Sequence, residues 1–180
     1  MRDHILSIWP TDGLQEILDL GCRDCWHTSG LPGVRRHVGV DLWPEALARG
    51  TKKAQEGRVP GWEPVLQDAL AYCINSEENA FDAVLAIDLL EHLDPIVARD
   101  LLEEMKRITR RLAIVWTTMG FIAQAAYDVD GNPNPYEIHR WGPEPTDLWA
   151  ARYHVRVLPN HHEGRGGAIF AWHDKRGLIK

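Results

Sequence analysis

Glu16–Cys25, EILDLGCRDC, and Val38–Ala46, VGVDLWPEA, decide the fold. In the first stretch an apolar run reaches Asp19 and breaks at Gly21; in the second, another apolar run ends on Asp41. The pattern reads as a strand, a tight turn, a crossover helix and a second strand with a carboxylate at its tip. An acidic side chain about 20 residues beyond a glycine turn is where a nucleotide-type cofactor has its ribose diol bound. The two stretches together predict a site for an adenosine-bearing cofactor.

Outward from this pair, similar units repeat. Val65 and Leu66 lead to Asp68, a third strand with an acidic end. Phe81–Leu90, FDAVLAIDLL, is a continuous β-branched and aliphatic run, and Leu112–Trp116 makes a fifth strand. Pro44–Gln55 reads as a helix that stops before Gly57. A second helix, Pro95–Thr109, follows Asp94, a capping residue set before a proline at the first helical position. Within it Val97, Leu101, Met105 and Ile108 share one face, and Arg99, Glu103, Lys106 and Arg110 are free to face water. Near the end, Tyr153–Leu158 and Ala168–Trp172 form an antiparallel hairpin across PNHHEGRGG, Pro159–Gly167. Strands alternating with helices and closed by that hairpin predict a doubly wound α/β fold. Its sheet is seven-stranded and mostly parallel, in one domain over residues 1–180. The stretch YDVDGNPNPYEIHRWGP, Tyr127–Pro143, has no period, and loops of that length in compact domains tend to be functional.

The bulk properties agree. With 180 residues and 44% hydrophobic content, the chain can bury roughly 70% of its unfolded surface around one core. A formal charge of −6 argues against nucleic acid as a partner, because phosphate binding relies on clustered lysine and arginine. No apolar run approaches a membrane span, and the apolar stretch in MRDHILSIWP is cut off by Pro10 and Asp12, so a cytoplasmic protein is expected. The three cysteines make no disulfide framework. Cys22 and Cys25 have the spacing of a zinc or dithiol motif, with His27 close by, but no second ligand pair supplies a four-ligand site. Small residues lining a turn is the simpler reading.

Several pieces, in order, resemble the class I S-adenosylmethionine-dependent methyltransferases, of the small methyltransferase type 11-like kind. ILDLGCRDC is similar to their first motif, GVDLWPEAL to the second and VLQDAL to the third. FDAVLAIDLLEHLDP is close to the fourth, FDxVxxxxxLEHL, and LLEEMKRITRR leading into LAIVWTT resembles the approach to strand five. The resemblance implies S-adenosylmethionine as cofactor and assigns roles to matching positions. Asp19 would order the turn, Gly21 would admit the cofactor's amino-acid moiety, and Cys22 and Arg23 would flank it. Asp41 would bind the ribose hydroxyls, with Leu42 and Trp43 beside the adenine. Asp68 would accept from the adenine amino group, Ala69 would touch the ring edge, Ile87 would offer its carbonyl to the ammonium, and His92 would stand on the cofactor side.

Physical chemistry supports this choice over a dinucleotide. S-adenosylmethionine has no pyrophosphate and needs no triple-glycine cradle, and this turn lacks one. The turn also departs from the resemblance, keeping only the first glycine of GxGxG. A left-handed backbone at Arg23 would cost on the order of 1–2 kcal/mol. Either Arg23 reaches the cofactor carboxylate and replaces lost backbone donors, or it and Cys25 close the pocket. The first is the expectation.

Methyl transfer from a sulfonium is mostly positioning, with a base needed only where the acceptor must lose a proton. His139 in the long loop is the candidate base. Asp88, after strand four, either contacts the acceptor or caps a helix. Tyr136, His139 and Trp141 with Trp116 could wall the methyl group, or simply pack on the sheet edge. Trp9, Trp26, Trp43 and Trp62 could line the cofactor side. His161 and His162 beside Glu163 read as polar loop rather than a metal site. The predicted activity is methyl transfer to a small or medium acceptor that the sequence does not name, in a site that a homodimer mate or partner subunit could complete. The alternatives are a catalytically inactive scaffold of the same fold and a nicotinamide-dependent oxidoreductase.

Overall fold

The computed structural model describes residues 1–127, 131–162 and 166–177. The elements run α1 (Arg2–Ile8), β1 (Glu16–Leu20), β2 (Arg36–Asp41), α2 (Pro44–Gln55), β3 (Trp62–Leu66), α3 (Ala69–Ile74) and β4 (Phe81–Ile87). They continue α4 (Pro95–Ile108), β5 (Thr109–Met119), α5 (Pro145–Ala150), β6 (His154–His162) and β7 (Gly166–Asp174). All seven strands join one sheet in the order β3-β2-β1-β4-β5-β7-β6. β1 to β5 pair in parallel, while β7 runs antiparallel to both β5 and β6. The predicted doubly wound sheet with its antiparallel closing hairpin is the observed fold.

The central strands are apolar on both faces because both faces are covered. Leu18, Leu20, Val84, Ala86 and Val115 pack with Leu101, Leu102, Met105 and Ile108 of α4. Their alternates Ile17, Ala83, Leu85, Ile87 and Trp116 pack with Ile5, Ile8 and Trp9 on the opposite side. Helix α4 starts where its cap places it: Asp94 Oδ1 accepts from the Ile96 N–H at 2.9 Å, with Pro95 behind it. Its buried face uses Ala98 rather than Val97, which is half-buried and turned to a cavity. Arg110 lies beyond the helix, in β5, where it pairs with Asp82 at 2.9 Å and with Glu16.

The crossover helix expected between β1 and β2 does not form. Residues 21–35 run as successive turns, with Gly21, Arg23, Cys25, Gly30 and Gly33 all at positive φ. A right-handed helix cannot propagate through left-handed residues, and Pro32 adds a missing donor. Helix α1 covers that face instead. Arg2 donates to the Ser29 and Gly30 carbonyls at 2.7 and 2.8 Å, and Trp9 Nε1 donates to Pro32 O at 3.0 Å. The closing hairpin is also tighter than expected, since β6 and β7 take in Pro159–His162 and Gly166–Gly167. Residues 163–165, Glu163 among them, lie outside the described residues. His161 sets its ring edge-on to Trp116, centroids 4.9 Å apart. Among the described residues no helix is long and apolar enough to cross a membrane.

The edge of the sheet depends on one ring. Trp62 of β3 lies over Gly39 of β2, where an added Cβ would fall 2.0 Å from the ring, and over Gly50 of α2, where it would fall 2.8 Å away. The ring has no room to retreat, because its Nε1 donates to Thr51 Oγ1 at 3.1 Å. Gly39→Ala is expected to destabilise the fold by about 1–3 kcal/mol through overpacking. In urea denaturation the double variant Gly39→Ala/Trp62→Leu should lose less than the sum of the single losses; strict additivity would refute this contact.

Candidate functional site

The strand order reverses between β1 and β4, and in such sheets ligands bind beyond the carboxyl ends at that point. A cavity of about 1160 Å³ opens there. Asp19, Gly21, Cys22, Arg23, Asp41, Leu42, Trp43, Asp68, Ala69, Ile87, Asp88, His92 and His139 all line it. The sequence reading thus assembled residues from β1, β2, β4, the start of α3 and the connections after each of the five parallel strands into one space.

At one end the first turn keeps its shape without its later glycines. Gly21, Arg23 and Cys25 have φ of 62°, 53° and 59°. Gly21 suits its left-handed φ and packs closely on Leu89, whose Cδ1 would lie 2.8 Å from an added Cβ. Asp41 holds the turn to the tip of β2: Oδ2 accepts from the Arg23 N–H and Oδ1 from the Trp43 N–H, both at 2.8 Å. Burial raises the pKa of this carboxyl, and those two N–H groups work the other way. Asp68 caps α3, accepting from the Ala71 N–H at 2.9 Å through Oδ1. Beneath the turn, Asp19 accepts from Thr28 Oγ1 at 2.5 Å and faces His37 Nε2 at 3.5 Å. Cys22 and Cys25 are both buried free thiols. Burial drives the Cys22 thiol's pKa well up, while the hydrogen bond from Cys22 pulls that of Cys25 down.

The opposite end gathers carboxyls and imidazoles. Asp88 closes β4 with φ 50°, its N–H donating to Trp116 O at 2.8 Å. Its side chain is exposed where it opens into the cavity, and desolvation by the protein packed around it pushes its pKa up to about 6. Glu91 is 1% exposed; burial, then the Asp88 charge, raises its pKa to about 8. Thr117 Oγ1 donates to Glu91 Oε2 at 2.7 Å, and the Thr118 N–H approaches Oε1 at 3.4 Å. Burial, and next the neighbouring His139, lower the His92 pKa to about 4. The two imidazoles meet edge to face, centroids 4.7 Å apart.

The long loop after β5 is fastened to this end. Arg140 N–H donates to Glu91 O, Trp141 Nε1 to Leu90 O, and His92 Nδ1 lies 3.3 Å from Ile138 O. Glu137 of the loop faces Arg23 Nη2 at 3.5 Å and accepts from Gln124 Nε2 at 2.9 Å. Loop and cofactor-side turn therefore meet across the cavity.

The aromatic wall needs correction. Trp116 is fully buried on the far face of the sheet among Phe170 and Ile114, because its place in β5 alternates away from the cavity. Trp141 packs against the α4-side core. Tyr136 remains, set edge-on to Trp43 with centroids 6.4 Å apart. Of the four tryptophans expected on the cofactor side, Trp26 and Trp43 line the cavity, whereas Trp9 belongs to the α1 core and Trp62 to the β3 edge. The reading also passed over Glu91, although LEHL displayed it, and Glu137, which nothing in the sequence marks.

The family model described as a methyltransferase domain matches residues 17–111, more than half of the chain. A search of curated proteins finds no match. Among solved structures, one from Listeria monocytogenes, assigned as an S-adenosylmethionine-dependent methyltransferase, superposes with a TM-score of 0.70 at 16% identity, covering 96% of each chain. Magnesium protoporphyrin IX methyltransferase from Synechocystis, solved with S-adenosylmethionine bound, gives 0.65 at 16% identity over 96% of this chain and 77% of its own. The cyclase SpnF gives 0.68 at 13% identity over 97% and 79%. At such identities the structural likeness speaks to fold alone, and the domain match carries the family: the chain belongs to the class I S-adenosylmethionine-dependent methyltransferases.

Proposed function

We propose that the cavity binds S-adenosylmethionine and that the chain transfers its methyl group to a small or medium-sized acceptor. The observation that carries this is Asp41. Its carboxylate spends one lone-pair site of each oxygen on the Arg23 and Trp43 N–H groups, and a carboxylate offers about four such sites. The remaining two suit the paired hydroxyls of a ribose. Leu42 and Trp43 then flank the adenine, Asp68 keeps Oδ2 for its amino group, and Ala69 meets the ring edge. Asp19, Gly21, Cys22 and the Ile87 carbonyl take the methionine half, with His92 beyond it. Asp88 and His139 stand where the acceptor must approach, and they are the groups assigned to its proton.

The missing glycines favour a second reading, a scaffold of the same fold without turnover. Its premise is a pocket closed by Arg23 and Cys25, whereas the cavity of about 1160 Å³ exceeds the range of ordinary ligand sites, about 300–1,000 Å³. Formation of S-adenosylhomocysteine in an acceptor screen separates the two. Cytoplasmic residence and a partner subunit remain part of this proposal, to be read from fractionation and from the mass in solution.

Two outcomes test the cofactor site. In calorimetric titration, Asp41→Ala should weaken S-adenosylmethionine binding roughly 10- to 100-fold, the loss of charge-assisted hydrogen bonds worth about 1.5–3 kcal/mol; unchanged affinity would remove the ribose assignment. Arg23→Gly should raise stability by about 1 kcal/mol, because glycine adopts the left-handed region freely, yet lower the affinity for the cofactor. A gain in both would mean that Arg23 obstructs the site rather than serving the cofactor carboxylate.

A further inference from the structure

One corner of the cavity carries groups that transfer from a sulfonium does not itself require. A ligating atom from each of Glu91, His92 and His139 lies within 4.8 Å of the other two, and all three residues line the cavity. Glu91 is the unusual member. It is buried, and among the described residues no lysine or arginine pairs with its carboxylate; its donors are the Thr117 hydroxyl at 2.7 Å and a long contact from the Thr118 N–H at 3.4 Å. A carboxylate taken out of water is costly unless a positive charge or a proton answers it.

The imidazoles are arranged to answer it with a metal. His92 Nδ1 faces the Ile138 carbonyl at 3.3 Å; a carbonyl can only accept, so Nδ1 carries the proton and Nε2 presents its lone pair. A backbone carbonyl holding the far nitrogen is how metal-ligating histidines are oriented, and a hydrogen-bonded carboxylate ligand, as Thr117 provides for Glu91, is the usual companion. His139 comes from the loop that Arg140 and Trp141 fasten to Glu91 and Leu90. The donor set is therefore held from two sides before any ion arrives.

We propose that Glu91, His92 and His139 bind a divalent first-row transition cation, open on its remaining positions toward the cavity. Two imidazoles and one carboxylate suit ions such as Mn²⁺ or Zn²⁺ better than Mg²⁺, which prefers an all-oxygen shell. The site also selects the acceptor class, a compound bearing a hydroxyl, and this part rests on the methyl-transfer reading above. An oxygen bound to the cation loses its proton more readily. The proton leaves to water, an oxygen lone pair forms the bond to the methyl carbon, and the electron pair of the breaking carbon–sulfur bond stays on sulfur. In this proposal the cation takes over the activation of the acceptor's proton, and His139 is a ligand in place of the base role given to it above.

Chelator-treated full-length protein, without S-adenosylmethionine, is titrated calorimetrically with Mn²⁺, Zn²⁺ and Mg²⁺, and bound Mn²⁺ is counted by paramagnetic resonance. One equivalent of Mn²⁺ or Zn²⁺ should bind at micromolar concentration, with Mg²⁺ weaker. Glu91→Gln and His139→Gln should each weaken it roughly tenfold or more. Glu91→Gln keeps the shape beside Thr117, and the loop variant His139→Gln stands in if the first fails to fold by circular dichroism. Cys25→Ser should leave the affinity unchanged, because it belongs to the separate cluster Asp19, Cys25 and His37. Absence of saturable binding overturns the proposal, as does binding that neither glutamine variant weakens or that Cys25→Ser abolishes. Cofactor binding to the metal-free protein is measured apart, so failure of the methyl-transfer reading would show there and not here.

Discussion

A buried carboxylate on β1 holds the switch point of the sheet together. Asp19, 2% exposed, receives the Thr28 hydroxyl and faces His37, so one side chain ties β1 to the connector and to β2. Burial opposes charge on His37, yet hydrogen bonds to Asp19 and Cys25 outweigh it and raise its pKa to about 9. Through the neutral range His37 therefore stays an imidazolium, 3.5 Å from the Asp19 carboxyl. Removing one member of such a pair strands the other charge and typically costs about 3–5 kcal/mol. The connector is accordingly fixed at Thr28, although it contains no regular element.

That fixing explains how the turn survives its substitutions. Without glycine at two of its three left-handed positions, the backbone at Arg23 and Cys25 would relax toward ordinary φ values. It is prevented from both ends. Asp41 receives the Arg23 N–H, and the Cys25 N–H donates to Cys22 O at 2.8 Å, while Ser29 N–H returns to Cys25 O at 2.9 Å. The cost of left-handed arginine and cysteine is met locally by hydrogen bonds that a helix in this segment would not have made.

Most of the sheet was legible because burial on both faces writes continuous apolar runs, and because Asp41, Asp68 and Asp94 stand where strand tips and helix caps need them. The residues that the motifs assigned to the cofactor reached one cavity for the same reason, parallel strands bringing their carboxyl ends together, whereas Trp9 and Trp62, chosen only for being aromatic, did not. The missing crossover helix was not legible, since a glycine-poor segment such as Cys22–Thr28 gives no local sign that its backbone is left-handed. Trp116 was misplaced by one face, as period-two alternation in a strand apolar throughout does not say which side opens to ligand. The Arg23–Glu137 contact joins residues far apart in the chain, and only packing of the loop could disclose it.

The strained residues show where the fold gives up stability. Among the described residues, Arg23, Cys25, Asn79, Asp88 and Arg152 are the non-glycines at positive φ, and two of them, Arg23 and Asp88, line the cavity from the ends of β1 and β4. Such conformations cost on the order of 1–3 kcal/mol each and persist only where the surroundings over-determine them. Here the surroundings do. Arg23 is held through Asp41, and Asp88 through the Trp116 carbonyl, in each case by the neighbouring strand. The neighbouring strands thus permit the strain at two positions that line the same space.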